Sequence, residues 1–164
     1  MKKITILALH LNYGGVEKYI SSLCKMLDDT YEIELVVTYK CNPAFEFSNK
    51  IKIKYLIDEM PNKEQFKSFL RDKKIFKTLK EGIKAVKILY LKKYLNIKCI
   101  RKINSDFIIT TRTFHNKLVS KYAKKEIIKI ATEHNYHNND KKYVKKLIKS
   151  LDNYDYLITV SKEL

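Results

Sequence analysis

The sequence contains few residues that break or stiffen a chain. Its 164 residues include three glycines, two prolines and no tryptophan. No apolar run approaches the roughly 20 residues that a membrane-spanning helix needs, and no stretch has the composition of a linker between domains. Three cysteines, Cys24, Cys41 and Cys99, are an odd number without metal-ligand spacing, which predicts reduced, buried thiols. A hydrophobic content of 45% over this length indicates one folded domain.

The N-terminus lacks the features of a secretion signal. A short apolar run follows Met1, Lys2 and Lys3, but it has no small-residue cleavage site. A glycine turn and an amphipathic helix come directly after the run. We therefore expect the first strand of a cytoplasmic protein rather than a signal peptide.

Negative charge is also scarce. Lysine and arginine number 34 against 18 aspartate and glutamate residues, a net charge of +16. Such a balance favours anionic partners: nucleic acid, the headgroups of an anionic membrane surface, or phosphorylated substrates. The chain has no helix-turn-helix, aromatic RNA-binding motif or zinc module. A basic nucleic-acid-binding protein is therefore the least favoured alternative, and we expect no nucleic-acid partner.

Two of the three glycines lie in a single turn, Gly14-Gly15. The near-continuous apolar run 3–11 predicts a strand buried on both faces, and residues 16–27 have helical spacing. Glycine allows positive φ and close approach of a ligand, and a helix N-terminus offers unpaired N–H groups to an anion. The turn thus predicts a phosphate-bearing ligand over Gly14 and Gly15. A tight strand-to-helix turn without a ligand is the alternative, and the turn alone does not decide between them.

The remaining chain alternates between strand and helix patterns. Further strands are predicted at 31–39, 51–57, 107–111, 126–132 and 154–160, and helices at 64–103, 117–125 and 140–151. The long helical stretch should contain a break, with Gly82 or Asn96 as candidates. Its many lysines indicate a solvated face or, less commonly, a membrane or nucleic-acid surface. The alternation predicts an α/β fold, a Rossmann-like doubly wound parallel sheet of about six strands.

Polar residues follow the predicted strand ends, where ligands bind in such sheets. Arg112 and His115 follow the fourth strand in a predicted loop, Glu133 and His134 follow the fifth, and Ser161 follows the sixth. With the glycine turn they should converge on one edge. Each could also be an ordinary loop or capping residue. A metal pair formed by His134 and His137 is disfavoured, because that spacing suits a helix and this loop is rich in asparagine.

Three short motifs resemble a known family. They are GGVE at 14–17, a strand ending in ATEHN at 131–135, and a strand ending in ITVSKEL at 158–164. In this order they resemble the N-terminal half of GT-B glycosyltransferases, most closely glycosyltransferase family 4, the retaining group 1 enzymes. The chain would then be one half of a GT-B fold.

The resemblance implies individual roles. The backbone at Gly14 and Gly15 would approach the donor diphosphate, and His134 would lie beside the donor sugar and acceptor as the catalytic residue. Four residues would bind the acceptor: Arg112, His115, Glu133 and Ser161. The enzyme would be a hexosyltransferase that moves a sugar from a nucleotide sugar to a cell-surface glycan or lipid-linked acceptor. No metal or other cofactor is expected.

The resemblance also implies a second domain. Family members hold most of the donor site in a C-terminal Rossmann domain with an E-x7-E pair, which this chain lacks. Residues 1–164 would be a single N-terminal, acceptor-side domain with little activity alone, peripheral on the inner face of the cell membrane. The last helix stops in its first turn, which favours an excised domain over a naturally short gene. A stand-alone nucleotide- or sugar-phosphate-binding module without catalysis is the main alternative.

Overall fold

The computed structural model describes residues 1–134 and 140–160. Within them, parallel strands alternate with helices along the chain. The strands are β1 (Lys3–Ala8), β2 (Glu32–Tyr39), β3 (Lys52–Ile57), β4 (Phe107–Thr110), β5 (Ile128–Glu133) and β6 (Tyr156–Thr159). The helices are α1 (Gly15–Leu27), α2 (Lys63–Arg71), α3 (Ile75–Ile100), α4 (Thr113–Tyr122) and α5 (Lys141–Ser150).

All six strands form one parallel sheet in the order β3-β2-β1-β4-β5-β6. Strand β1 is central, and Ile4 pairs with Ile33 of β2 on one side and with Phe107 of β4 on the other. The chain runs outward from β1 to β3, returns to the centre through α2 and α3, and runs outward again from β4 to β6. The predicted doubly wound, Rossmann-like sheet is therefore confirmed.

Both faces of the central strands are buried, because β1 and β2 carry near-continuous apolar side chains. On one face, Ile20 of α1 packs against Ile6 and its neighbours. On the other face, Ile100 of α3 and Val119 of α4 pack against Ile108. These layers hold the carboxyl ends of the strands in fixed positions relative to the helix that follows each of them.

The long helical stretch breaks at residues 72–74, so the prediction of a break at Gly82 or Asn96 was wrong. The Lys73 N–H donates to the Leu70 carbonyl and the Lys74 N–H to the Phe69 carbonyl, which ends α2 in a Schellman motif. Lys73 takes the left-handed position with φ 52°, where glycine or asparagine is usual. No helix in the described parts of the chain is long and apolar enough to cross a membrane.

Two boundaries near the strand ends differ from the sequence prediction. Strand β1 ends at Ala8, so His10 lies beyond the strand and not within it. Helix α4 begins at Thr113, so the predicted loop at 112–116 is a helix start, with His115 and Asn116 buried in its first turns. Both differences bring side chains into the edge of the sheet where β1 and β4 end.

Candidate functional site

Polar side chains from β1, β4 and β5 meet at the carboxyl edge of the sheet. His10 and the glycine turn follow β1, Arg112 follows β4, Glu133 ends β5 and His134 follows it. Strands β1 and β4 are neighbours at the point where the winding of the sheet reverses. In open parallel sheets this switch point forms the crevice in which ligands bind.

Glu17 is the centre of this group, although sequence reasoning did not select it as a site residue. Its side chain comes from the first turn of α1 and is only 3% exposed. Arg112 Nη2 donates to Glu17 Oε1 at 2.9 Å, and His10 Nδ1 lies 3.4 Å from the same oxygen. This ion pair spans the switch point and fixes the guanidinium of Arg112 over the crevice.

Arg112 retains hydrogen-bonding capacity. Its Nε is buried and has no hydrogen-bond partner among residues 1–134 and 140–160, while the side chain as a whole is 34% exposed. A buried donor without a partner costs free energy. The accessible part of the guanidinium has the donor geometry that binds phosphate or carboxylate oxygens. The guanidinium is therefore the strongest anion-binding group of this edge.

His10 and Arg112 influence each other through charge. Burial is the main reason that the pKa of His10 lies below its usual value; the Glu17 carboxylate opposes this change and Arg112 adds to it. His10 is thus neutral at pH 7, and the local positive charge resides on Arg112. The sequence pattern missed His10 because the apolar run continues to Leu11, which is buried although it lies outside the strand.

The glycine turn has a different physical basis from the predicted one. No described glycine has positive φ, and Gly14 is extended, with φ 173° and ψ 160°. A Cβ at Gly14 would instead collide with Glu17 Oε2, whereas a Cβ at Gly15 would meet nothing within 4 Å. Gly14 makes room for the Glu17 carboxylate, and Gly15 begins α1 with open space where a Cβ would lie. The predicted ligand over this turn stays a prediction.

His134 is held in one tautomer by its neighbours. The Thr132 hydroxyl donates to the Thr110 carbonyl at 3.2 Å, so at 2.9 Å it accepts a hydrogen bond from His134 Nε2–H. The Nδ1 lone pair makes no hydrogen bond to any described residue. The ring also packs edge-on against Tyr19 of α1, with centroids 4.7 Å apart. His134 therefore presents a fixed, acceptor-type nitrogen.

The environment of His134 keeps its ring neutral. Burial is the main cause of a pKa below the usual value; the Glu133 carboxylate opposes it and Arg112 adds to it. A neutral imidazole with a free lone pair accepts a hydrogen bond from a hydroxyl group, or takes a proton as a general base. Because the charge of Arg112 affects the pKa of His134, the two side chains lie near each other at this edge of the sheet.

Glu133 lies beneath this edge and not on its surface. It is 4% exposed, and its Oε1 accepts hydrogen bonds from the His134 main-chain N–H at 3.1 Å and the Tyr143 hydroxyl at 3.3 Å. The carboxylate thereby joins the end of β5 to α5. Its sequence-predicted role in acceptor binding stays a prediction, and its observed contacts are those of a supporting residue.

His115 lies in the interior, fully buried, where no acceptor reaches it without a rearrangement. The Thr38 hydroxyl donates to Asn96 Oδ1 at 3.3 Å and lies 3.0 Å from His115 Nε2, so Nε2 carries the proton. Asn96, expected as a helix break, instead donates to the Lys92 carbonyl within α3. This network ties α4 and α3 to the end of β2, beneath Arg112.

The buried ring of His115 predicts a specific pH dependence of stability. Burial, with Lys92 and Arg112 nearby, lowers the pKa of His115 to about 3. In the unfolded chain it titrates near 6.5, so below that pH the unfolded state binds a proton that the folded state does not. Below about pH 6.5, this group should then lower the free energy of unfolding by up to about 1.4 kcal/mol for each unit by which the pH decreases.

Urea denaturation between pH 7.5 and 5 tests this expectation. The variant His115→Gln keeps a donor for Thr38 but does not titrate. Its free energy of unfolding should fall less steeply with decreasing pH than that of the wild type. The two slopes should differ by up to about 1.4 kcal/mol per pH unit, the value for one proton. Equal slopes in the two proteins would show that His115 is not held neutral in the fold.

The structure thus brings together most of the sequence-predicted site residues. Gly14 and Gly15 lie at the start of α1 with Glu17, which pairs with Arg112 at the switch point. His134, which follows the neighbouring strand, lies within electrostatic range of Glu17 and Arg112. His115 is separated from them by its burial. Ser161 and His137 lie outside the described residues. Among the residues that are described, no cluster of three or more His, Cys, Asp or Glu side chains could hold a metal ion.

Two solved enzymes of sugar metabolism contain a domain with a similar fold. The lipopolysaccharide outer core galactosyltransferase WaaB, in its apo form, matches with a TM-score of 0.58 and 13% identity, over 98% of this chain and 40% of WaaB. Sucrose-phosphate synthase from Thermosynechococcus elongatus matches with a TM-score of 0.54 and 13% identity, over 96% of this chain and 42% of that enzyme.

The chain thus has the fold of one half of a GT-B glycosyltransferase and spans about 40% of the length of these two structures. No family model matches the sequence. No curated protein matches it either. The likeness is one of fold, and the assignment to glycosyltransferase family 4 stays a prediction.

Proposed function

We propose that this chain is the acceptor-side domain of a retaining glycosyltransferase of family 4 type. The whole enzyme would transfer a hexose from a nucleotide sugar to a cell-surface glycan or a lipid-linked acceptor. The observation that carries the proposal is the group formed by Glu17, Arg112 and His134 at the switch point of a GT-B half-domain. It combines an anion-binding cation with a neutral imidazole whose Nδ1 lone pair makes no hydrogen bond to any residue in 1–134 or 140–160.

The fold likeness and the site support this proposal in different ways. The names of both solved neighbours describe enzymes that make glycosyl products, and this chain covers 40% of one and 42% of the other. The site adds groups that suit a sugar phosphate. The Arg112 side chain is 34% exposed, and α1 begins beside it at Gly15 without a side-chain cap, so its first N–H groups and positive dipole end favour an anion.

The proposed chemistry assigns one task to each group. The bond from sugar C1 to the diphosphate oxygen breaks, a bond from C1 to the acceptor oxygen forms, and the nucleoside diphosphate and a proton leave. Arg112 and the N-terminus of α1 would stabilise negative charge on the diphosphate, which such preorganised donors do effectively in a water-poor cleft. His134 Nδ1 would accept a hydrogen bond from a sugar or acceptor hydroxyl and orient it.

The partners of the site follow from this proposal. The donor would be held mainly by a second domain, which the 40% coverage of the neighbours makes reasonable. Stabilisation of the diphosphate by Arg112 and helix N–H groups requires no metal ion, so we propose metal-independent transfer. A lipid-linked acceptor would place the protein at the inner face of the cell membrane.

Nucleoside diphosphate release tests the proposal. The complete gene product is incubated with UDP-glucose, UDP-galactose, UDP-N-acetylglucosamine or GDP-mannose and a glycolipid extract of the cells that make it. We expect one donor to release nucleoside diphosphate in an extract-dependent reaction, with the acceptor gaining one hexose mass. Saturable donor binding to residues 1–164 without any release by the complete protein would favour the stand-alone binding module instead.

A further inference from the structure

Helix α3 carries a row of large apolar side chains on its solvent side. Six of them are 61–88% exposed: Ile75, Phe76, Leu79, Ile83, Val86 and Tyr90. At 3.6 residues per turn they fall within an arc of about 100° on one side of the helix. An ordinary solvated helix face is polar, so this row requires another explanation.

Helix α2 widens the apolar row into a surface. It packs beside the N-terminal half of α3, and Phe66 and Leu70 of α2 join Leu79, Ile83 and Val86 around a shallow groove of about 590 Å³. We call the eight side chains Phe66, Leu70, Ile75, Phe76, Leu79, Ile83, Val86 and Tyr90 the α2–α3 face. On the surfaces of soluble proteins, exposed apolar residues are normally scattered singly, whereas these eight lie side by side.

The charge around the α2–α3 face is strongly positive. Residues 63–100 contain twelve lysines and arginines against three aspartates and glutamates, a net +9 of the chain's total of +16. Lys84 pairs with Glu59, whereas Lys80 and Lys87 make no ion pair within the described chain and border the apolar row. An apolar stripe with a lysine border is the pattern of helices that lie in the plane of an anionic membrane surface.

The position of α3 connects this face with the candidate site. Ile88 packs against Tyr39 and Ile57, the last residues of β2 and β3. The helix therefore extends beyond the carboxyl edge of the sheet with its N-terminal half, the part that carries the apolar row. Further along, Lys92 lies over the Phe114 ring at 4.1 Å, beneath the Arg112 crevice. A surface that bound the α2–α3 face would thus lie near the crevice.

We propose that the α2–α3 face docks this protein on an anionic phospholipid bilayer, with the apolar row in the headgroup region and the lysines on acidic lipids. A second copy of the chain is a poorer partner, because two such positively charged faces would repel each other. Nucleic acid is also a poorer partner, because its phosphates would leave the exposed side chains of Phe76 and Leu79 in water. The inference does not need the transferase proposal, because vesicle binding is measured without sugar transfer.

Vesicle co-sedimentation of the 164-residue chain tests this docking. The vesicles contain phosphatidylcholine alone or phosphatidylcholine with a minority of phosphatidylglycerol. We expect binding to the acidic vesicles to be at least about tenfold tighter than to the neutral ones. Leu79→Gln with Ile83→Gln should weaken it about tenfold. Glutamine is a good helix former, so these substitutions at exposed positions should leave α3 intact. Lys80→Gln with Lys87→Gln should weaken vesicle binding as well.

The matched control places the same charge change elsewhere. Lys145→Gln with Lys149→Gln alters two exposed lysines of α5 and should leave vesicle binding unchanged. No binding of the wild type to acidic vesicles would overturn the proposal. Full binding by the Leu79/Ile83 variant, or an equal loss in the α5 control, would also overturn it, because either would mean attraction by net charge alone. A concentration-dependent dimer that the Leu79/Ile83 variant abolishes, without vesicle binding, would assign the face to a second copy.

Discussion

In the proposed glycosyltransferase, replacing His134 with alanine should lower kcat by at least about a hundredfold, the range typical for a lost positioned acid–base or hydrogen-bonding group. The Thr132 hydroxyl fixes Nε2 as the protonated nitrogen, and the low pKa keeps the ring neutral. The lone pair of Nδ1 thus makes no hydrogen bond to any described residue, and in the proposed reaction it accepts one from the substrate. Steady-state kinetics with the active donor measures this effect.

The same change should affect folding little. His134 is only half-buried and comes from a strand end, so we expect the free energy of unfolding to fall by about 1 kcal/mol or less. Thr132→Val provides the control, because it removes the hydroxyl that sets the tautomer but leaves the ring. It should reduce kcat by less than His134→Ala does. An unchanged kcat in His134→Ala would remove His134 from the site.

Replacing Glu17 with alanine should destabilise the fold by about 2 kcal/mol. The change leaves the Arg112 guanidinium without its 2.9 Å partner, and its buried Nε already lacks one among the described residues. The cost stays below that of a fully buried pair, because the Arg112 side chain is 34% exposed. Urea denaturation of wild type and variant measures the difference.

Two glycine variants separate the Glu17 contact from a general effect on the turn. Gly14→Ala places a Cβ against the Glu17 carboxylate, whereas Gly15→Ala places one in open space. Gly14→Ala should therefore destabilise the protein, and Gly15→Ala should be neutral or slightly stabilising, since alanine favours helix. Glu17→Gln should fall between wild type and Glu17→Ala. Equal effects of the two glycine variants would contradict this account of the turn.

The sequence predicted the sheet because its strands are apolar runs separated by helical spacing. Strands that are buried on both faces need a near-continuous apolar sequence, and this pattern is typical of the parallel sheets of α/β proteins. The break in the long helix was missed because Lys73, and not a glycine, takes the left-handed position. A tertiary fold can hold a lysine there at a cost that a local pattern does not reveal.

The candidate site was predicted in outline but not in its contacts. The predicted strand ends put Arg112 and His134 at one edge of the sheet, where the structure also has them, since carboxyl ends of parallel strands share an edge. Their roles stay predictions. The partnership of Glu17 with Arg112 joins residues 95 positions apart, which spacing does not encode. His115 was predicted in a loop and lies buried in α4, because the helix starts directly behind Arg112.

The apolar row of α3 shows a similar limit. Its helical spacing predicts one apolar side, which most often packs into the core. The structure instead buries a different side, through Ile88, and leaves Phe76 88% exposed. Spacing identifies which residues share a face, but only the position of the sheet edge decides whether that face is covered.

The structure of the complete gene product with a bound nucleoside diphosphate would show whether the edge formed by Gly15, Arg112 and His134 is a donor site. We expect a diphosphate oxygen within hydrogen-bond distance, about 3 Å, of the Gly15 N–H or the Arg112 guanidinium, with His134 Nδ1 facing the place of the sugar. A nucleotide bound elsewhere, with Gly15, Arg112 and His134 all open to solvent, would contradict this expectation.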